Sequence, residues 1–155
     1  MPGQILKNML DERNIKYISI NHSPAYTARE TAASTFIPRR EFAKTIIVDL
    51  DGDKVMAVVS ASRHVDLAAL RELAGASEAR LATEEEFKAL FPDCEIGAMP
   101  PFGSLYQLRL FVDEMVTEVD DLCFNAGTHE QILRMDCGDY LEIEEPVIGD
   151  FAIKE

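Results

Sequence analysis

Apolar side chains near the start of the chain fall at Ile5, Leu6, Met9 and Leu10. That is the spacing of one helical face, so the pattern predicts an amphipathic helix led in by Pro2 and Gly3 and ending near Asn14. Residues 17–20, Tyr-Ile-Ser-Ile, read as a short strand. Thr27 and Glu30 have the spacing of a capping box, in which each side chain satisfies an orphan amide; this predicts a short helix through Ala33, stopped by Phe36, Ile37 and Pro38. The β-rich runs 43–49 and 55–60 are joined by Asp51-Gly52-Asp53 and predict an antiparallel hairpin.

Further along, Asp66 is placed to cap a helix that runs to Leu73 and stops at Gly75, and Thr83 with Glu86 repeats the capping-box spacing ahead of Phe87, Leu90 and Phe91. A brief strand at 79–81 lies between them. The segment 97–103, GAMPPFG, holds two glycines and two prolines, so it is expected to be a shaped loop. Strand-like runs follow at 108–112, 122–125 and 131–135, then a helix after Asp136 and a last strand over 147–153. Helices and strands mix without strict alternation. The expected class is therefore α+β, one domain over residues 1–155 with a mixed, curved β-sheet flanked by helices.

Composition narrows the function classes. A chain of 155 residues, 47% hydrophobic and 28% charged, has the make-up of an ordinary globular protein that buries roughly two-thirds of its surface. No apolar run approaches the roughly 20 residues of a membrane span, and MPGQILKNMLDERN lacks a signal peptide's apolar core, so a cytoplasmic protein with no membrane partner is expected. The formal net charge of −13 argues against broad adhesion to nucleic acid, so no DNA partner is expected and any RNA contact must be local. From Phe111 onward, thirteen Asp or Glu face only Arg134 and Lys154. Arg29, Arg39, Arg40 and Lys44 outnumber Glu30 and Glu41, a stretch that is either a solvated face or a receiver of anions.

Two places could carry chemistry. Lys44 shares a strand face with Ile46 and Val48. If that face points inward, its ammonium needs an anion or a cleft; if Ala43, Thr45 and Ile47 point inward instead, Lys44 is a surface residue. The run Asn125-Ala126-Gly127-Thr128-His129 ends a strand in a glycine turn, where converging amides could hold an oxyanion and His129 could place a proton, or where His129 is a plain turn residue. Cys94, Cys123 and Cys137 are odd in number and widely spaced, as buried structural thiols are, and His22 and His64 lie in no ligand pattern. With no Gly-rich phosphate fingerprint, no H-E-x-x-H and no G-x-S-x-G, neither a cofactor, a catalytic metal nor a serine-hydrolase mechanism is expected.

Taken in order, residues 22–28 (HSPAYTA), 43–48 (AKTIIV), 97–103 (GAMPPFG) and 124–129 (FNAGTH) resemble the YbaK/prolyl-tRNA synthetase editing-domain family, and the resemblance covers nearly the whole chain. It implies that family's fold and a free-standing, metal-independent hydrolase that deacylates mischarged aminoacyl-tRNA, such as a tRNA(Pro)-type substrate carrying a small wrong amino acid. The family's strand lysine corresponds to Lys44, its G-x-x-x-P loop to Gly97 through Pro101, and its glycine-histidine element to Gly127 and His129. The implied catalytic set is Lys44, Gly127 and His129. Tyr26, Thr27, Thr45, Gly97, Met99, Pro100, Pro101, Phe102 and Asn125 are the expected substrate-binding residues, with a loop that merely packs over the core as the lesser alternative for the proline-rich segment. Alanine-clearing relatives carry asparagine after the lysine, where this chain has Thr45, so the rejected amino acid stays open. The acceptor end of an aminoacyl-tRNA is the expected partner, with a synthetase as a second candidate. The competing expectation is a binding module that holds a tRNA 3′ end, a nucleotide or an amino acid without turnover.

Overall fold

The protein is described by a computed structural model over residues 3–21 and 37–154. The capping box expected at Thr27 and Glu30, and the residues His22, Tyr26 and Thr27, lie outside the described residues. The strands are β1 (Tyr17–Asn21), β2 (Phe42–Leu50), β3 (Asp53–Ser60), β4 (Arg63–Val65), β5 (Ala79–Leu81), β6 (Leu110–Asp113), β7 (Asp121–Asn125), β8 (Gln131–Asp136), β9 (Val147–Gly149) and β10 (Ala152–Lys154). Among the described residues the main sheet runs β1-β8-β7-β2-β3-β6-β9 with β5 also on β2, while β10 and β4 form a separate ribbon. β2–β7, β3–β6 and β6–β9 are parallel and the other pairs antiparallel. This is the α+β class with a mixed sheet.

Local chemistry explains most of the elements. Asp51 at φ 51° and Gly52 at φ 93° make the two-residue left-handed turn that matches strand twist, so Leu50 pairs directly with Asp53. The Asp49 carboxylate accepts from the Gly52 amide at 2.7 Å and closes the turn. Asp66 accepts from the Ala69 amide to start the helix Leu67–Ala74, and Gly75 ends it in the left-handed region. Both bonds of the Thr83–Glu86 capping box are present. Asp136 starts the helix Cys137–Glu144 by accepting from the Asp139 amide at 2.9 Å.

The sheet is covered on both faces. Leu6 and Leu10 of the helix Gln4–Glu12, and Cys137 and Tyr140 of the helix Cys137–Glu144, pack with Ala43, Ile47, Met56 and Val58. Leu70 of the helix Leu67–Ala74, with Phe151 between β9 and β10, packs on Val48, Leu50, Val55, Ala57 and Val59. β2 is therefore buried on both sides, as a central strand between two layers must be. The face that Lys44 shares with Ile46 and Val48 is thus an inward one, the first of the two alternatives, and the Ala43 face is inward as well.

The C-terminal segment corrects the sequence reading. Instead of one strand over 147–153, β9 joins β6 in the main sheet and β10 joins β4 in the ribbon. The break lies at Gly149-Asp150-Phe151. Gly149 abuts Leu73, whose Cδ2 would lie 2.6 Å from any added Cβ, and buried Phe151 donates its amide to the buried Asp113 carboxylate at 2.9 Å. The apolar run therefore serves two sheets. The sequence reading also missed β4 and placed β6 two residues early.

Candidate active site

The site grows out of a split in the sheet. β2 pairs with β7 only at Phe42 and Ala43, and with β5 only at Val48, Asp49 and Leu50. Between these contacts residues 44–46 have a ladder partner only in β3. Open mixed sheets take ligands at such points, where neighbouring strands part beyond the carboxyl end of one of them. Lys44 and Asn125 stand one step beyond the last β2–β7 pair, Ala43 with Phe124.

Strand alternation fixes which way these residues face. Lys44 pairs with Val59, and Ile46 and Val48 share its side, so it belongs to the face covered by the helix Leu67–Ala74. On the same face, Phe42, Ala61, Cys123 and Ile132 form a smaller apolar cluster. Lys44 is half-buried between the two. Asn125 is buried, and its Oδ1 has no hydrogen-bond partner among the described residues. Thr45 points to the opposite face with Ala43 and Val58, and its Oγ1 is likewise buried without a partner.

The glycine turn and the proline loop are stitched together. Gly127 donates its amide to Ala98 O at 2.9 Å, and Glu95 donates its amide to Gly127 O at 2.8 Å. His129 is buried, and its Nε2 lies 2.7 Å from Ile96 O. A carbonyl only accepts, so Nε2 carries the proton and donates. Its backbone amide reaches Glu95 Oε2 at 3.4 Å. Gly97, at φ 86°, leaves the His129 ring the space a side chain would take: an added Cβ would lie 3.3 Å from Cε1.

These bonds bear on two expectations. Within the turn expected to hold the oxyanion, the Gly127 amide is engaged by Ala98 O, and the turn amide with no partner among the described residues is that of Thr128. Met99 and Phe102 belong to the core on the Ala43 face, opposite Lys44. Phe102 packs edge-on to Phe124 at 5.4 Å and Tyr140 at 5.2 Å, and Tyr140 donates its hydroxyl to Pro101 O at 2.6 Å. Pro100 and Pro101 are buried as well. The structure thus brings Gly97, Gly127 and His129 together, places Asn125 with Lys44 just beyond the last β2–β7 pair, and packs Met99 and Phe102 into the core. Sequence reasoning missed Tyr140, because a tyrosine on an ordinary helix carries no signal of the distant carbonyl it fastens.

Cysteine chemistry is disfavoured on physical grounds. Burial pushes the Cys94 thiol up to about 12 and those of Cys123 and Cys137 up to about 11, so none is a thiolate near neutral pH. A broad depression of about 1320 Å³ beside β1 is lined by four carboxylates, Asp11, Asp121, Asp136 and Asp139, against two cations, Lys16 and Arg134.

Residues 22–143 match the aminoacyl-tRNA editing domain family. The multifunctional Ser/Thr-tRNA deacylase ProXp-y of Escherichia coli (strain K12) is 32% identical over 114 residues, covering 70% of this chain and 68% of that protein. The proline–tRNA ligase of Maridesulfovibrio salexigens is 30% identical over 96 residues, 61% of this chain and 16% of the ligase. Two solved structures share the fold. Hypothetical protein APE2540 superposes with a TM-score of 0.86 at 22% identity, covering 96% of this chain and 99% of that one. A candidate trans-editing enzyme for prolyl tRNA synthetase gives 0.81 at 23% identity, covering 99% and 96%. The chain belongs to the aminoacyl-tRNA editing domain family. As a class, it is an editing deacylase.

Proposed function

We propose that the chain, acting as one editing unit in the cytoplasm, hydrolyses mischarged aminoacyl-tRNA of the tRNA(Pro) type carrying a small wrong amino acid, with Lys44 as the group that meets the substrate end. The observation that carries this reading is the half-buried lysine at the split between β2 and β7, flanked by apolar clusters and one ladder step from the turn that holds the Gly97 loop. An aminoacyl ester is already activated, so the site's task is to orient water, stabilise an oxyanion and exclude the correct amino acid.

In this reading the Lys44 ammonium contacts the terminal ribose, phosphate or ester region, and the turn of Gly127 and His129 stabilises the oxyanion through the Thr128 amide. His129 acts as a positioning residue: by donating to Ile96 O it holds the 95–98 segment against the turn. Asn125 supplies a buried oxygen on the Lys44 side for the aminoacyl group. Thr45, whose buried oxygen lies on the opposite face, is assigned to the pocket through the family resemblance alone, as are Tyr26 and Thr27. The stiff Pro100-Pro101 pair fixes the wall, with Met99 and Phe102 rooting it in the core. Pocket size matters because one methylene is worth only about 1–3 kcal/mol in a single sieve. A synthetase is the protein partner this reading favours, as the source of the mischarged substrate.

The deciding experiment is a panel of mischarged tRNAs offered to the wild type and to Lys44→Ala. The reading expects multiple turnovers with at least one member and, in the variant, a loss of about a hundredfold or more, the scale of a removed oxyanion-side contact. Full activity in Lys44→Ala would remove that residue from the mechanism. Binding of an uncleavable aminoacyl-adenosine by a wild type that hydrolyses no ester would point instead to a binding module.

A further inference from the structure

The ribbon of β4 and β10 carries a charge arrangement that the fold alone does not call for. Arg63 and Lys154 are directly opposed in its ladder, as are Val65 and Ala152 two residues away. Alternation puts all four on one side of the ribbon. Val65 and Ala152 pack onto the Val48–Val59 face of the main sheet, so Arg63 and Lys154 project toward that same face. It is the face of Lys44, whose ladder partner Val59 is followed by Ser60 at the end of β3, just before β4. On the other side of the ribbon His64 and Ile153 are exposed.

Like charges directly opposed across two strands repel. The chain has 28 acidic residues against 15 basic ones. Among the described residues Arg63 and Lys154 have no ion pair, a state they share with Lys7, Lys16 and Arg40, so what sets them apart is their direct opposition in a two-stranded ladder. Arg39, which is exposed, adds a third cation at the same end of the sheet, its carbonyl held by the Ser60 hydroxyl at 3.0 Å. An anion arriving between Arg63 and Lys154 would turn the repulsion into attraction.

We infer that Arg63 and Lys154 form a clamp for the phosphodiesters of the single-stranded 3′ end of the tRNA, guiding it to Lys44. The inference rests on the aminoacyl-tRNA reading and adds to it the way a chain of net charge −13 engages a polyanion: by one local cation pair instead of a basic track. Neutralising a phosphate releases counterions, so each contact on a single strand contributes about 0.7 to the slope of log affinity against log salt.

The test compares wild type with the double variant Arg63→Gln/Lys154→Gln on a mischarged tRNA and on an aminoacyl-adenosine ester without phosphates, over a salt series. The clamp predicts that the ratio of kcat/KM on tRNA to that on the small ester falls about tenfold, and that the salt slope on tRNA shrinks by about 1.4. The double variant should melt no lower than wild type, since a repulsion is removed, and Arg63→Lys should keep the slope. An equal loss on both substrates, or an unchanged slope, overturns the clamp. If the wild type hydrolyses neither ester, the deacylase reading fails, and the salt slope for direct binding of uncharged tRNA then decides the clamp alone: a shallower slope in the variant supports it and an equal slope overturns it.

Discussion

Gly97 is the residue whose identity the site can least change. At φ 86° an alanine would adopt a left-handed backbone at a cost of roughly 1–2 kcal/mol, and its Cβ would press on the His129 ring at 3.3 Å. Gly97→Ala is therefore expected to lower deacylation more than it lowers the melting temperature, which paired kinetic and thermal measurements check; a large melting drop with normal kcat in the surviving fold would contradict the positioning role given to His129. Tyr140 makes the complementary case. Its hydroxyl is buried, burial holds it protonated well above the ordinary tyrosine range, and it donates to Pro101 O. Tyr140→Phe keeps the ring packing with Phe102 but strands a buried carbonyl, so a stability loss of roughly 1–3 kcal/mol is expected in denaturant titration. A neutral result would mean that water replaces the hydroxyl at Pro101.

At the scale of elements, the hairpin of β2 and β3 is tied to β5 and the following helix by charge. Asp49, buried at the end of β2, accepts from Lys54 at 2.7 Å and Arg80 at 3.2 Å; Arg80 grips Glu86 through both carboxylate oxygens at 2.7 and 2.6 Å. Lys54 holds the Asp49 carboxyl below its ordinary value, helped by the Gly52 amide, and the Arg80 guanidinium does the same more strongly for Glu86, helped by the Thr83 amide. A carboxylate with a depressed folded pKa stabilises the fold fully above its unfolded value near 4, and that contribution fades as pH falls through the folded pKa. Melting curves should therefore steepen their decline below about pH 4, and Glu86→Gln should lower the melting temperature between pH 6 and 8, where the contribution is fully present, and flatten the decline in acid. Parallel acid slopes in the two proteins would show that the network does not couple to folding. These elements were also the most legible in the sequence, because Asp51-Gly52, Thr83 with Glu86 and Asp66 with Gly75 each act within a few residues. The parallel pairing of β2 with β7, the division of residues 147–153 between two sheets and the engagement of the Gly127 amide by Ala98 all join distant parts of the chain, and no local pattern encodes them. Lys44 could be singled out as a misplaced charge. That both faces of its strand are covered followed only from the layers above and below it.

For the whole molecule, charge sets stability and substrate capture against each other. The acid concentrated from Phe111 onward repels itself in the folded state, and among the described residues Arg134 pairs with just one of its carboxylates, Asp121. Raising salt from about 0.01 M to about 0.1 M shortens the screening length from roughly 30 Å to roughly 10 Å, which weakens long-range repulsion more than it weakens the contact pairs around Asp49. The melting temperature is expected to rise over that range. Hydrolysis of aminoacyl-tRNA is expected to fall over the same range, with the shallow slope of two or three phosphate contacts instead of the steep slope of a basic groove. The two trends have opposite signs because one charge distribution does both jobs: a mostly acidic body that pushes a polyanion away, and a few cations around Lys44 that draw in its end. A melting temperature that falls as salt rises would show that ion pairing outweighs self-repulsion, and a steep kinetic slope would show that the tRNA touches far more of the surface than that mouth.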